Sequence, residues 1–365
     1  MKHALIKTVQ PKPFYQSLEI FNEKFSMRDN RIDILRFLGL AGIIFAHIDT
    51  PIILAELRSF DVPLMVLVSG MSFSLSYQGN KSYLLYIWKR VKRLVFPLWI
   101  FLTLYFSIKL PFFERLPFKV IFETYALGDG IGYVWIIRVF LLVAILSPLL
   151  YSYNKSINSS TKYVLILSAF FCGYEVFRYL SLPYIQTGFG YTASLVIHYA
   201  IAYSLLFALG LRITSLDKSQ MTKLSLINLL LFIVIGVGLF LVNDRYISLE
   251  ELKNPPSIYY FSYSLFMFSI LWIYSREIEN ILGKLKLKSL ILFIAQNSLW
   301  IYFWHIPIIN IFLKLPDVNF VLEYLVVFSV STFITYCQVW IVNNVIIQHI
   351  SNTNLSRNIK ALLTG

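Results

Sequence analysis

Apolar stretches of membrane-spanning length constrain this chain more than any other feature of its sequence. A helix needs about 20 predominantly apolar residues to cross the hydrocarbon core of a bilayer, and runs of about that length recur from residue 32 to residue 347. The chain is 58% hydrophobic and only 14% charged, whereas a soluble domain carries about 25% charged residues. We therefore predict an all-α, polytopic membrane bundle of about ten transmembrane helices. The predicted spans are 32–49, 60–77, 94–110, 133–152, 163–180, 192–211, 225–242, 258–275, 289–313 and 320–347.

Lysine and arginine are distributed unevenly between the loops. With the N-terminus placed in the cytoplasm, the inner segments hold 22 of the 32 Lys and Arg residues, the outer loops hold 7, and 3 lie within spans. This bias follows the positive-inside rule, and it predicts that both termini are cytoplasmic and that the protein lies in the cell inner membrane. The basic excess thus reflects topology and contact with anionic membrane lipids, and we expect no nucleic-acid partner.

The loops are all short, so we expect no separate soluble domain. The chain divides into a cytoplasmic N-terminal segment, 1–30, a transmembrane domain, 31–347, and a cytoplasmic C-terminal tail, 348–365. Within the N-terminal segment, residues 14–25 carry four large apolar side chains at helical spacing. This pattern predicts a short interfacial helix on the inner leaflet, with a frayed tail as the alternative.

Three polar residues interrupt the first span. Arg36 and His47 are eleven residues apart, which returns to within about 20° of the same helix face, and Asp33 precedes Arg36 by one turn. An arginine inside a membrane costs about 2.5–3.5 kcal/mol on insertion scales and normally faces a bundle interior. Histidine is the most frequent general base in enzymes, so His47 is a candidate base. A packing role for His47 and a purely structural Arg36–Asp33 pair are the alternatives.

A basic cluster precedes the third span. Arg90 and Arg93 form R-x-x-R within the sequence KRVKR, so that a helix would place both guanidinium groups on one turn. Guanidinium groups match phosphate oxygens in a bidentate manner, which favours a phosphorylated ligand arriving from the cytoplasm. Ordinary positive-inside charge is the alternative interpretation.

Two later spans carry further polar and aromatic candidates. Trp135 and Arg138 lie one turn apart in the fourth span, and Tyr302 and His305 lie one turn apart in the ninth. We predict that these four residues contact a glycan or anionic substrate and that Tyr302 and His305 line the same cavity as His47. Anchoring at the membrane interface is the alternative for the aromatic residues, and snorkelling is the alternative for Arg138.

Several of these segments together resemble a known family. Asn30–His47 reads N-R-I-D-x-L-R-x10-H, which is similar to the opening signature of the acyltransferase-3 family of integral-membrane acyltransferases. Further segments follow in the family's order, although Met65 and Val66 replace its usual aromatic residues. These segments are Asp61–Gly70, which resembles V-P-x-F-F-x-x-S-G, R-x-x-R-L-x-x-P in 90–97, W…P in 135–148 and Y-x-x-H-x-P in 302–307.

The resemblance implies a function as well as a fold. It implies about ten spans, an acyl-CoA donor on the cytoplasmic side and a carbohydrate acceptor, with His47 and Arg36 essential and Arg90 and Arg93 serving the donor. We therefore expect an O-acetyltransferase that uses acetyl-CoA as a substrate, without a tightly bound cofactor or a metal, and modifies a cell-surface polysaccharide or a lipid-linked glycan precursor. Asp33 would orient Arg36, and Tyr302 or His305 are candidates for the group that stabilises the oxyanion.

Two other classes of protein remain compatible with the polar residues. A transporter or flippase for lipid-linked glycans would also place ionisable residues along a route through the membrane. A glycan polymerase is a weaker alternative, because no outer loop is long.

Overall fold

Helices make up the regular structure of this chain. The computed structural model describes residues 29–77, 79, 82–112, 116–312, 314 and 318–364, without the side chains of 109–112, and no β-strand occurs among these residues. The interfacial helix predicted over 14–25 lies outside the described residues. The α-helices are α1 Asn30–Phe45, α2 Ile52–Leu57, α3 Asp61–Ser76, α4 Tyr83–Phe112, α5 Phe118–Tyr125, α6 Trp135–Ser156, α7 Ser160–Ser181, α8 Gly188–Ile213, α9 Lys218–Asn243, α10 Ile258–Ile273, α11 Ser275–Lys284, α12 Lys288–Gln296, α13 Ser298–Phe312, α14 Phe320–Ile341 and α15 Thr353–Leu363.

Six stretches of helix are long and apolar enough to cross a membrane, and two bent helix pairs raise the number to eight. The six correspond to α4, α6, α7 extended to Tyr184, α8, α9 and α14 extended to His349; the bent pairs are α10–α11 and α12–α13. The helices at the first two predicted spans, α1 and α3, have 16 residues each. Sixteen residues rise about 24 Å, which is less than the roughly 30 Å hydrocarbon core.

The ninth predicted span is two helices rather than one. The axes of α12 and α13 differ by 82° at a break between Gln296 and Ser298. Asn297 closes α12 through its backbone N–H and its side-chain amide, which both donate to the Phe293 carbonyl. Its own carbonyl accepts from the backbone N–H groups of Trp300 and Ile301 in the first turn of α13. Hydropathy alone does not reveal this break, because the sequence stays apolar on both sides of it.

The centre of the bundle is built around α3. This helix packs against α8, α10 and α6, and its apolar residues from Val62 to Phe73 include several with no exposed surface. Gly70 of α3 meets Gly210 of α8 so closely that a β-carbon at Gly70 would lie 2.4 Å from the Phe207 carbonyl oxygen. Small residues at such crossings let membrane helices approach each other.

Two segments predicted as loop or tail are helical. The basic cluster with Arg90 and Arg93 lies inside α4, which begins at Tyr83 rather than near residue 94. The predicted tail contains α15, whose last turn packs on the bundle: Trp300 Nε1 donates to the Leu362 carbonyl at 3.2 Å, and Gln338 Nε2 donates to the Leu363 carbonyl at 2.6 Å.

Candidate functional site

Two histidines from distant parts of the chain meet at the centre of the candidate site. His47 lies in the turn that follows α1, and His305 lies in the first half of α13. Their rings are stacked, with 5.0 Å between the centres, and His305 Nε2 is 3.0 Å from His47 Nδ1. His305 is fully buried. The sequence predicted that both residues line one cavity. The structure places their rings in contact, but only His47 of the two lines the cavity.

The hydrogen bonds of this pair fix which nitrogen of His47 is unprotonated. His305 Nδ1 bonds to the backbone carbonyl of Tyr302, and a carbonyl only accepts, so His305 Nδ1 must be the donor. In a neutral imidazole the other nitrogen is then an acceptor. His305 Nε2 therefore accepts from His47 Nδ1, and the lone pair of His47 lies on Nε2. This arrangement leaves His47 able to take a proton.

A small cavity adjoins His47. Its volume is about 100 Å³, well below the roughly 300–1,000 Å³ of pockets that enclose whole drug-sized ligands, so it has room for reacting groups rather than for a whole substrate. α1 and the turn after it, the α2–α3 segment, the start of α6, the α9–α10 loop and α13 all contribute to its wall. The lining residues are Ile43, Ala46, His47, Arg58, Asp61, Val62, Trp135, Ile136, Glu250, Lys253 and Tyr302.

Four charged residues form one network in the wall of the cavity. Arg58 donates to Asp61 at 3.1 Å and to Glu250 at 3.0 Å, and the Lys253 ammonium lies 3.1 Å from the nearer oxygen of Glu250. We call Arg58, Asp61, Glu250 and Lys253 the charged wall. Its two cations and two carboxylates balance, as buried charges require.

The α9–α10 loop, residues 244–257, holds half of the charged wall and is fastened to α2. Glu56 of α2 accepts from the Tyr246 hydroxyl and from the Leu249 backbone N–H, both at 2.9 Å. Burial acts to raise the pKa of Glu250, but the charges of Lys253 and Arg58 outweigh burial, so that the pKa lies below its ordinary value. Glu250 is therefore an anion at neutral pH.

Arg36 and Asp33 lie at the opposite end of α3 from His47. Arg36 donates to Asp33 Oδ1 at 2.5 Å and to the Ser72 hydroxyl at 2.8 Å, and Asp33 is fully buried. His47 follows Arg36 by eleven residues and lines the cavity together with Asp61. Asp61 precedes Ser72 by eleven residues in α3. Arg36 of α1 and His47 of the following turn thus both lie next to α3, although α1 ends at Phe45, two residues before His47.

The R-x-x-R motif lies near the level of Arg36. The guanidinium of Arg90 lies 6.0 Å from the centre of the Phe73 ring, next to Ser72, and Arg90 Nε donates to the Tyr86 hydroxyl at 3.1 Å. Arg93 is exposed, one turn further along α4. The structure therefore brings Arg36 and Arg90 to neighbouring residues of α3, and neither of them lines the cavity at His47.

The predicted substrate residues divide into two groups. Trp135 and Tyr302 line the cavity, whereas His305 lies behind His47. Arg138 donates to the Leu127 carbonyl at 2.8 Å and contacts Asp129 at 3.4 Å, so it is bound to the α5–α6 loop and does not reach the cavity.

Tyr302 and His305, the predicted candidates for oxyanion stabilisation, both donate their protons to backbone carbonyls. The Tyr302 hydroxyl donates to the Tyr133 carbonyl at 2.5 Å. His305 donates from Nδ1 to the Tyr302 carbonyl and accepts at Nε2. Both donors are thus directed at backbone carbonyls rather than into the cavity.

The sequence singled out Asp61 as the first residue of a family-like segment, but it did not indicate a role for Arg58, Glu250, Lys253 or Tyr133. The Tyr133 ring packs edge-on against His47, with 4.9 Å between ring centres. Arg58, in the turn before α3, and Asp61, at its start, are three residues apart, a spacing at which opposite charges often pair, so they carried a signal. Glu250 and Lys253 have the same spacing, but nothing in their sequence indicates that the α9–α10 loop folds back over α2.

Comparison with known proteins gives one match. A family model described as an acyltransferase domain matches residues 29–340. The chain belongs to the acyltransferase-3 family. No curated protein matches the chain, and no solved structure matches it. The matched range contains every residue of the cavity, the charged wall and the R-x-x-R motif.

Membership of the acyltransferase-3 family, together with the membrane-length helices, identifies a multi-pass membrane acyltransferase. Among the described residues no group of three or more His, Cys, Asp or Glu side chains is placed to hold a metal ion. The histidine pair, the charged wall and the arginines near the end of α3 all lie within the range that the family model matches.

Proposed function

We propose that this protein transfers an acetyl group from acetyl-CoA to a sugar hydroxyl of a cell-surface polysaccharide or of its lipid-linked precursor, with His47 as the general base. The observation that carries the proposal is the histidine pair beside the cavity. A general base needs an unprotonated nitrogen in reach of the hydroxyl, and the bonds of His305 leave His47 Nε2 in that state.

The transfer step uses groups that the cavity offers. His47 Nε2 takes the proton of the sugar hydroxyl as its oxygen attacks the thioester carbonyl. The tetrahedral intermediate collapses with cleavage of the C–S bond, and the leaving thiolate of CoA recovers the proton from His47. The product is the acetyl ester, and acetyl-CoA is consumed as a substrate. Aromatic Trp135 and Tyr302 would contact the acceptor.

The arginines at the other end of α3 suit the donor. Arg90 and Arg93 would bind the phosphates of acyl-CoA, because guanidinium groups pair with phosphate oxygens, and Arg36, oriented by Asp33, would contact the arm that leads inward. Arg36 and His47 are separated by eleven residues, or about 16 Å of helix rise. This distance is of the same order as an extended pantetheine arm.

The orientation of the protein follows from its charges. We infer about ten membrane passages, with the short helices α1 and α3 included, and both termini in the cytoplasm, because Lys and Arg are concentrated in the segments of that side. This orientation places Arg90 and Arg93 on the cytoplasmic side, where acyl-CoA is available, and His47 toward the outer side of the inner membrane.

Transfer of labelled acetyl groups tests the proposed function. Purified protein in detergent is supplied with acetyl-labelled acetyl-CoA and the glycan fraction of its source membranes, and label in glycan and free CoA thiol are both measured. We expect label in the glycan and an equal amount of free thiol. If neither labelled glycan nor free thiol appears, and lipid-linked glycan crosses the membrane of proteoliposomes, the protein is a flippase rather than a transferase.

A further inference from the structure

The proposed transfer step requires a group that stabilises negative charge on the thioester oxygen. As the sugar oxygen attacks, the carbonyl π electrons move onto that oxygen, and donors aimed at it are often the largest single contribution to catalysis. Tyr302 and His305 are committed to backbone carbonyls, and His47 acts as the base. The donor must therefore be sought among the other polar residues of the cavity wall.

The hydrogen bonds of Arg58 exclude it as the oxyanion donor. Its two terminal nitrogens donate to Asp61 and Glu250. Its Nε is buried, with almost no accessible surface, and has no partner among the residues that the structure describes. Arg58 thus holds two carboxylates in place, and its third donor does not open into the cavity.

Lys253 is the other cation of the cavity wall, and its surroundings fit the role. Within the described part of the chain, its ammonium group hydrogen-bonds only to Glu250, at 3.1 and 3.3 Å, so one of its three N–H groups has no partner there. Nζ lies 5.6 Å from the centre of the Trp135 ring, and the Lys253 side chain is only 10% exposed. A cation held between a carboxylate and an aromatic face keeps its position, which a charge-stabilising group requires.

The α9–α10 loop does not depend on Lys253 for attachment. Glu56 fastens it through Tyr246 and Leu249, and Arg58 bonds to Glu250. The same loop contains a second ion pair, Arg245–Glu251, at 2.7 Å. That pair is exposed and does not line the cavity, so it is a matched control for the charge of the loop.

We propose that Lys253 is a catalytic residue that stabilises the oxyanion of the tetrahedral intermediate, with Glu250 and Trp135 holding its ammonium group beside His47. This inference rests on the proposed acyl transfer. The C–O bond forms as the proton passes to His47 Nε2 and negative charge develops on the former carbonyl oxygen, which the ammonium group binds. Collapse restores the carbonyl, breaks the C–S bond and returns the proton to the CoA thiolate.

The test compares three variants in the labelled-acetyl transfer reaction: Lys253→Met, Lys253→Arg and Arg245→Met. Removal of one oxyanion donor typically lowers kcat by about 10²–10³-fold. We expect such a loss of kcat for K253M with the KM for acetyl-CoA changed less than about threefold. We expect K253R to recover at least about tenfold of that loss because it keeps a cation, and R245M to match the wild-type protein.

The outcomes separate this inference from the proposed function. Lack of transfer by the wild-type protein overturns both. Wild-type transfer that depends on His47, with K253M retaining kcat within about threefold, overturns the role of Lys253 alone. Size-exclusion elution and acetyl-CoA binding are measured for each variant. If K253R is as inactive as K253M while both elute and bind acetyl-CoA like the wild-type protein, a cation is not what the reaction needs, and the inference is wrong.

Discussion

The hydrogen bond that leaves His47 Nε2 unprotonated is made to His305, which is 258 positions away in the chain. The sequence predicted that His47 shares a face with Arg36, because helical spacing is a local property. It also predicted a common cavity for His47 and His305, but not their hydrogen bond. That bond depends on the tertiary approach of α13 to the turn after α1, which no local pattern encodes.

Replacement of His305 by phenylalanine tests its role as a positioning residue. His305→Phe keeps a planar ring but removes the acceptor for His47 Nδ1, so the imidazole of His47 loses its fixed orientation. We expect kcat to fall by up to about 100-fold, as small misplacements of a catalytic group can cause, with the KM for acetyl-CoA unchanged.

The matched control for His305 is His198. It is equally buried and stacks on Phe177, but it bonds to Ser181 away from the cavity. We expect His198→Phe to retain kcat. Equal losses in the two variants would show that His305 contributes only packing.

Among the helices, α3 crosses α8 closely at Gly70 and Gly210. This crossing fixes α3, which carries Asp61 of the charged wall. A β-carbon at Gly70 would meet backbone atoms of α8 rather than a flexible side chain, so neither helix can adjust locally. We expect Gly70→Ala to lower the free energy of unfolding by about 1–3 kcal/mol, the usual cost of overpacking, measured as thermal unfolding in detergent.

Gly238 of α9 is the control for this crossing. A β-carbon there would have no atom within 4 Å, so Gly238→Ala should change the unfolding free energy by no more than about 0.5 kcal/mol. A stability of G70A equal to that of G238A would contradict the close contact of α3 and α8.

The lowered pKa of Glu250 in the α9–α10 loop predicts how the stability of the protein depends on pH. The pKa of Glu250 in the folded protein lies below its ordinary value of 4.5, because Lys253 and Arg58 outweigh the effect of burial. A lowered folded-state pKa adds stability above the ordinary pKa, and this stability is lost as the pH falls through the folded-state value. The Tm difference between the wild-type protein and Glu250→Gln should therefore stay constant from about pH 8 to about pH 5.5.

Below about pH 4.5 the same difference should shrink as Glu250 takes up a proton. Thermal unfolding of both proteins across this range measures it. A difference that already declines between about pH 7 and pH 6 would mean that burial dominates and that Glu250 titrates near neutrality.

At the scale of the whole molecule, composition and hydropathy predicted an all-helical membrane protein, and the structure confirms that class. The number of spans was harder to predict from the sequence. The helices α1 and α3 are shorter than the hydrocarbon core of a bilayer is thick, and two pairs of helices bend within apolar sequence. Motifs near α1, α4 and α13 indicated the family correctly. The charged wall depends on how a loop folds back over α2, and hydropathy does not report that.

Labelling of single cysteines tests the proposed orientation. In a variant with Cys172→Ala and Cys337→Ala, we expect Arg245→Cys to react with a membrane-impermeant maleimide on intact cells. Lys284→Cys should react only after permeabilisation, because the positive-inside rule places α11 on the cytoplasmic side. The opposite pattern would invert the membrane orientation and place the donor arginines on the side that lacks acyl-CoA.

The central claim is that His47 is the base for acyl transfer, and the most direct measurement is the kcat of His47→Gln in the labelled-acetyl reaction, with His198→Gln as the control. General-base catalysis contributes about 10²–10⁴-fold, so we predict a loss of that size for H47Q, normal acetyl-CoA binding, and wild-type kcat for H198Q. A correctly inserted H47Q protein that transfers acetyl groups at the wild-type rate would contradict the account.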